Sequence, residues 1–203
     1  MPYKFEFRLN NAVRYSATLL CAQCEGVNGT GQRCKRQVCL NRPYCPQHAR
    51  SLLGLEVRPS TIPGAGDGLF TLLTIPANDW IAPLLGETIT EAQANVRYGN
   101  HTGPYLNTVP DLEDDSGAIV IDAILDSARV RGIGNAANTI LGANGRSNLA
   151  ACNCRIFANA DDGGMPWLSS LGNPIPAGSE LFAYYGSDFT LDPEVQHRTW
   201  YAK

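Results

Sequence analysis

One stretch constrains this chain more than any other: CAQCEGVNGTGQRCKRQVCLNRPYCPQH, residues 21–48. It holds five of the seven cysteines and ends on a histidine, yet has almost no large apolar side chain. Such a segment cannot build a hydrophobic core and needs a covalent or metal staple to hold a shape. The start of the chain, MPYKFEFRLN, lacks the continuous apolar core of a secretory signal. Clustered cysteines with a nearby histidine then read as a metal site before a disulfide framework. Cys45-x2-His48 is one half-site, and the other half must come from Cys21, Cys24, Cys34 and Cys39.

Zinc takes four N/S ligands in a tetrahedron at about 2.0–2.3 Å. The set Cys24, Cys34, Cys45 and His48 has the spacing C-x9-C-x10-C-x2-H, with G-x-x-C-K-R in its middle. That pattern resembles small zinc modules and is the preferred set. The rival set, Cys21, Cys24, Cys45 and His48, pairs a CxxC with the CxxH. Free or disulfide-bonded cysteines are the metal-free alternative. Four protein ligands leave no open position, so the zinc expected here is structural.

Charge divides the chain. Residues 1–50 carry 8 Lys+Arg against 2 Asp+Glu, a local charge of +6, whereas the remainder carries −9. The acidic remainder suits a basic partner such as a Lys-rich protein tail, and the basic N-terminal segment suits weak nucleic-acid contact. Plain solvation accounts for either surface as well. No apolar run approaches the roughly 20 residues that span a bilayer, so no membrane partner is expected.

With Gly 20 and Pro 13, the remainder reads as short strands between turns. KFEFRL opens as a strand, followed by a helix or extended run to Leu20. LEVRPS, GLFTLL, DWIAPLLGETIT, AIVIDAIL, CRIFAN and ELFAYYG are further strand candidates, rich in β-branched and aromatic residues. Two helices are expected: residues 90–98, with Thr90 as N-cap, and 192–202, with Asp192 as cap and Pro193 at the first helical position. The organisation expected is an N-terminal segment over 1–50 containing the zinc module (21–48), a β-rich domain over 51–190, and a C-terminal helix over 191–203.

Five motifs follow one another in the domain: IPGAGDGLF (62–70), IPANDWIAPLLGE (75–87), AIVIDAILDSARVRGIGNAANTI (118–140), AACNCRIFAN (150–159) and IPAGSELFAYYG (175–186). In order and spacing they resemble the SET-domain protein lysine methyltransferases. In the last motif Gly178, Glu180, Leu181, Tyr185 and Gly186 match in register. Asp122 and Asn153 match in the third and fourth. Asn138 takes the family's asparagine, but Thr139 stands where a histidine is usual.

The resemblance implies a mainly β fold, the β-clip of short sheets with a chain-threaded pseudoknot and few short helices. It implies S-adenosylmethionine as cofactor, held by Gly66, Asp67, Gly68, Asn138, Thr139 and Tyr185. Tyr185 becomes the catalytic tyrosine, with Tyr105 or Tyr184 orienting the amine. The substrate implied is a lysine of a basic protein, a histone tail foremost, which points to an intracellular and nuclear setting. No cysteine follows Gly186, so the zinc cluster that many relatives carry there is replaced in expectation by Trp200 and Tyr201 as an aromatic lid. Cys152 and Cys154 read as buried thiols. The competing expectation is a degenerate, non-catalytic SET scaffold that presents the zinc module to nucleic acid or protein.

Overall fold

The computed structural model describes residues 3–19, 21–38, 43–99, 106–114, 117–123, 132–159, 165–187, 189 and 195–201. Strands are numbered β1–β15 along the chain. The alternation in KFEFRL forms β1 (Tyr3–Leu9), and the run to Leu20 is extended: β2 (Ala12–Leu19) pairs antiparallel with it. Asn10 and Asn11 join them at φ 50° and 63°. Both central residues of a two-residue hairpin turn need positive φ, which asparagine tolerates better than most side chains.

The free edge of β1 decides the C-terminus. Residues 195–201 form strand β15 (Val195–Tyr201), not the expected helix, and pair with β1 from Tyr3↔Tyr201 to Leu9↔Val195. A helix of about ten residues is marginal in water, whereas an unpaired strand edge offers a full ladder of backbone partners. VQHRTWY, with its β-branched and aromatic residues, suits that ladder. Trp200 and Tyr201 accordingly stand opposite Lys4 and Tyr3 in a sheet, and not on a helical lid. Asp192 and Pro193, the cap signal, lie outside the described residues.

This terminal sheet packs on a second layer through aromatic contacts. Buried Phe7 meets Tyr98 edge to face at 5.0 Å between centroids, and Tyr15 meets it at 5.7 Å. Tyr98 ends helix α2 (Glu91–Tyr98), which begins as expected: Thr90 Oγ1 accepts from the Gln93 N–H, and Gln93 Oε1 accepts from the Thr90 N–H. The Tyr98 hydroxyl donates to Asp122 at 2.8 Å, and Arg97 donates to Asp122 and Glu87 at 2.9 Å each. Asp122 is fully buried, so the family-matched aspartate ties helix to sheet.

The body consists of small sheets. β5 (Leu55–Pro59), β6 (Asp67–Thr71) and β13 (Glu180–Leu181) form one, in the order β13-β6-β5. β8 (Glu87–Thr90), β10 (Gly117–Asp122) and β9 (Leu106–Asp114) form another, in the order β8-β10-β9. The largest runs β14-β11-β12-β7, from β7 (Trp80–Pro83), β11 (Cys154–Asn159), β12 (Met165–Ser170) and β14 (Ala183–Tyr184). The candidate DWIAPLLGETIT divides into β7 and β8. Its break contains Gly86, where a Cβ would run into the Asp122–Ala123 backbone. The fold is mainly β. Leu55, Leu69, Leu168, Leu181 and Cys154 are buried in one core shared by the β13-β6-β5 and β14-β11-β12-β7 sheets, whereas Ile89 and Val120 of β8-β10-β9 pack with Ala94 of α2 in a separate cluster. Among the described residues no helix is long and apolar enough to cross a membrane.

Candidate functional site

The Cys/His segment forms the first site. β3 (Ala22–Gln23) and β4 (Gln37–Val38) pair antiparallel and close the loop between them. The Cys34 N–H donates to the Gly26 carbonyl at 2.7 Å, which brings Cys34 back beside Cys24. A one-turn helix, α1 (Pro46–His48), starts right after Cys45 and turns His48 toward it. The donor atoms of Cys24, Cys34, Cys45 and His48 all lie within 4.8 Å of one another. His48 Nδ1 is 3.4 Å from Cys24 Sγ and 3.5 Å from Cys45 Sγ. Tetrahedral zinc with ordinary bond lengths sets an S···N edge of about 3.5 Å. The residues therefore fit a zinc ion, with His48 offering Nδ1. The rival set does not assemble, because Cys21 is disulfide-bonded. Cys39 lies outside the described residues.

The surroundings act differently on the two buried thiols. The Cys45 N–H at 3.1 Å and the Gly26 N–H at 3.4 Å both donate to Cys24 Sγ. Burial raises the Cys24 thiol, these N–H groups oppose it, and the net shift is upward. Burial also pushes Cys45 up, but hydrogen bonds from the His48 backbone and the Arg36 guanidinium outweigh it and bring Cys45 down to about 6. Gly26 and Arg36 are contributors the sequence did not single out. A Cβ on Gly26 would occupy the His48 ring, and a glycine two residues after a metal cysteine was the available signal. Arg36 donates to Cys45 Sγ and to Gln47, and Arg33 donates to the carbonyls of Gln23 and Cys24. Both guanidinium groups thus turn back on the module.

The second site is built around residues 180–187. Leu181 pairs with Leu69 of β6. The Phe182 carbonyl accepts from the N–H groups of Asn153 and Cys154, and Asn153 Oδ1 accepts from the Phe182 N–H. On the opposite edge, the Ala183 N–H donates to the Asn138 carbonyl at 2.8 Å. The segments around Asn138 and Asn153 therefore flank one strand from both sides. Next along the chain, the Tyr185 N–H donates to Ser147 Oγ at 3.0 Å, and its hydroxyl donates to the Ala137 carbonyl at 2.6 Å. Phe189 meets the Tyr185 ring edge to face.

Asn138 joins this strand to the glycine loop. Its amide donates to the Asp67 carbonyl at 2.9 Å. Glu180 is buried, and it accepts from the Ser60 hydroxyl at 2.6 Å and from the Thr61 N–H and hydroxyl at 2.7 and 2.5 Å. Burial raises its carboxyl, but these donors win and hold it below the usual value. The two loop glycines differ in role. Gly66 sits at φ 74° with open space where a Cβ would point, and Gly68 is buried where a Cβ would overlap the Glu180 carboxylate. Gly64, at φ 79°, is as open as Gly66.

The structure thus brings Gly66, Asp67, Gly68, Asn138 and Tyr185 into one connected cluster. The Thr139 hydroxyl points to Ser147 Oγ at 2.6 Å and lies 3.8 Å from Cys152 Sγ. Tyr105 lies outside the described residues. Tyr184 is half-buried in β14, with neighbouring Arg155 as its ladder partner. Cys152 and Cys154 are free and buried, as expected, and burial pushes Cys154 up to about 12, an unreactive thiol. Ser147 was not anticipated. It lies outside all five motifs, on a hairpin between the third and the fourth, and carries no sequence signal. Asn135 Oδ1 is buried without a hydrogen-bond partner among the described residues, although its amide donates to the Leu85 carbonyl.

No family model matches this chain, and no curated protein matches it. Among solved structures it is similar to the methyltransferase domain of human PR domain-containing protein 2, at 20% identity over 71% of this chain and 86% of that one, with a TM-score of 0.49. It is also similar to the Neurospora SET domain protein DIM-5, a histone lysine methyltransferase, at 20% identity over 68% and 54% of the two chains, TM-score 0.47. A chain of the Chaetomium thermophilum polycomb repressive complex 2 is similar at 18% identity over 66% and 15%, TM-score 0.47. The match thus spans about half the Neurospora chain and a far smaller part of the Chaetomium one.

Proposed function

We propose that this chain is an S-adenosylmethionine-dependent protein lysine methyltransferase with a structural zinc module. One observation carries the proposal: residues 137–139 hold the glycine loop through Asn138–Asp67 and the tyrosine through Ala137–Tyr185. Three motifs far apart in sequence, which resemble the SET family separately, meet on one short segment. Two features suit the cofactor. The Gly66 position opens onto empty space, and the unpartnered Asn135 oxygen is an acceptor in the adjoining segment, which packs on β6.

S-adenosylmethionine, when bound, supplies an electrophilic methyl group on a sulfonium. The remaining work falls to the protein. Tyr185 commits its proton to the Ala137 carbonyl, so its oxygen presents lone pairs to whatever positive charge lies beside it. Its backbone and its hydroxyl are both anchored, which fixes the ring for in-line geometry between amine, methyl and sulfur. An apolar approach lowers the lysine pKa and favours the neutral amine the reaction needs. The acidic body suits a basic tail, a histone lysine foremost, and hence a nuclear setting.

A second reading, a non-catalytic scaffold that presents the zinc module, is favoured by one fact: the Asn138 amide and Thr139 hydroxyl are already engaged within the protein. Its nucleic-acid form is the less favoured, because Arg33 and Arg36 turn back on the module. Calorimetric titration of the zinc-loaded protein with S-adenosylmethionine, followed by methyl transfer to core histones, separates the two. Micromolar binding and transfer support the enzyme. A folded protein that binds no cofactor supports the scaffold.

A further inference from the structure

The hairpin closed between Ile140 and Asn148 has its residues 141–147 outside the motifs that carry the methyltransferase reading, yet it grips the segment just after β14 that carries Tyr185. It is closed by the Gly142 N–H on the Arg146 carbonyl, the Asn148 N–H on the Ile140 carbonyl, and a turn at Gly145 with φ 72°. Leu141 and Ser147 face each other across it. Two residues of its returning arm reach that segment. Ser147 Oγ accepts from the Tyr185 N–H at 3.0 Å, and the Arg146 guanidinium donates to the Ser187 carbonyl at 3.3 Å.

Ser147 is the buried member of this pair. Its hydroxyl is held at 2.6 Å by the Thr139 hydroxyl, one residue beyond Asn138. Two hydrogen bonds to described residues therefore anchor Tyr185. Its phenol rests on Ala137, and its backbone rests on Ser147, which Thr139 holds in turn. With the phenol anchor alone, the ring can tilt about its hydroxyl while the backbone drifts. The second anchor removes that freedom, and displacements near 1 Å can cost about a hundredfold in rate when alignment governs the reaction.

We infer that Ser147, oriented by Thr139, is a positioning residue for Tyr185 in methyl transfer. The inference deepens the methyltransferase proposal and depends on it. Ser147 touches neither cofactor nor substrate in this role and acts through the tyrosine backbone.

The test uses the full zinc-loaded chain, with S-adenosylmethionine and core histones as substrates. Ser147→Ala is expected to lower kcat about tenfold, consistent with partial misalignment, while KM for S-adenosylmethionine stays within about twofold. Thr139→Val, nearly isosteric, is expected to reproduce most of that loss, and Thr139→Ser to recover it; this pair decides if Ser147→Ala does not fold. The decisive comparison is the Tyr185→Phe background, where adding Ser147→Ala is expected to cost little more, because both changes act on one hydroxyl. Equal losses in the two backgrounds, or a Ser147→Ala or Thr139→Val enzyme within about twofold of the parent in kcat, overturn the inference and leave the methyltransferase proposal standing. A parent chain that transfers no methyl group overturns both.

Discussion

Glu180→Gln isolates what holds the glycine loop in place. The Glu180 carboxylate is buried and receives three hydrogen bonds from Ser60 and Thr61, at 2.5–2.7 Å. Glutamine keeps one acceptor oxygen but places an NH2 group among these donors and removes the charge. Two charge-assisted bonds weaken and one donor loses its acceptor, which amounts to about 2 kcal/mol. For a chain of this length that is a fall in Tm of about 4–8 °C. The sign of the pH dependence is fixed by the lowered carboxyl. Above the unfolded value of about 4.3 the parent carries its full advantage, and it loses that advantage as pH falls through the lower folded value. Urea denaturation of both chains, followed by tryptophan fluorescence from pH 7 to pH 3, is the assay. Metal loss at low pH affects both chains alike, so the difference between them is the quantity to follow. The expected gap is widest at pH 7 and closes below about pH 4. A gap that is the same at both ends, or absent at pH 7, refutes the reasoning.

Three further outcomes are expected. Tyr185→Phe should leave S-adenosylmethionine binding within about twofold and cut methyl transfer more than about tenfold, since only the hydroxyl is lost; near-normal turnover in a radiolabel assay removes it from the mechanism. Gly26→Ala should displace the His48 ring and lower the zinc content of natively purified protein well below that of the parent, because a Cβ there occupies the ring position; metal analysis checks this, and full zinc occupancy contradicts it. Tyr98→Phe leaves buried Asp122 with one donor fewer and should cost about 1–2 kcal/mol in denaturation, with no change in cofactor affinity.

The zinc segment joins the body more tightly than a division at residue 50 implies. Tyr44 packs both against the Cys24–Val38–Cys45 cluster and against the main core, and Ala49 directly after His48 is buried in that core. A metal that orders 24–48 therefore also orders the entry into β5. If zinc occupies the proposed site, its removal should be felt in the body through Tyr44 and Ala49.

Much of this was legible in one dimension because it depends on local chemistry. The cysteine spacing pointed to Cys24, Cys34, Cys45 and His48 because a metal needs four soft donors and a polar loop has no other staple. Thr90 announced helix α2 as its N-cap, since a cap acts within one turn, and the structure adds Gln93 as the other half of a capping box. The Asn10-Asn11 turn was not singled out, and the run beyond it stayed open between helix and strand. The C-terminal segment was misread for the complementary reason. Asp192 and Pro193 made a local helix signal, but the vacant edge of β1, nearly two hundred residues away, offered seven paired positions to VQHRTWY.

The site divides along the same line. The sequence by itself determined the residue types: a glycine turn, an asparagine, a tyrosine after Gly-x-Glu-Leu, and a quartet of three cysteines and a histidine. Only the tertiary structure decided that Gly68 is small because Glu180 lies beneath it, and that Asn138 ties the loop to the strand. It alone placed Ser147, from a hairpin with no motif of its own, under the Tyr185 backbone. Contacts within a turn of helix or a metal loop leave a pattern in neighbouring letters. Contacts that cross 38 or 71 residues leave none, because any segment that presents a donor at the right place satisfies them.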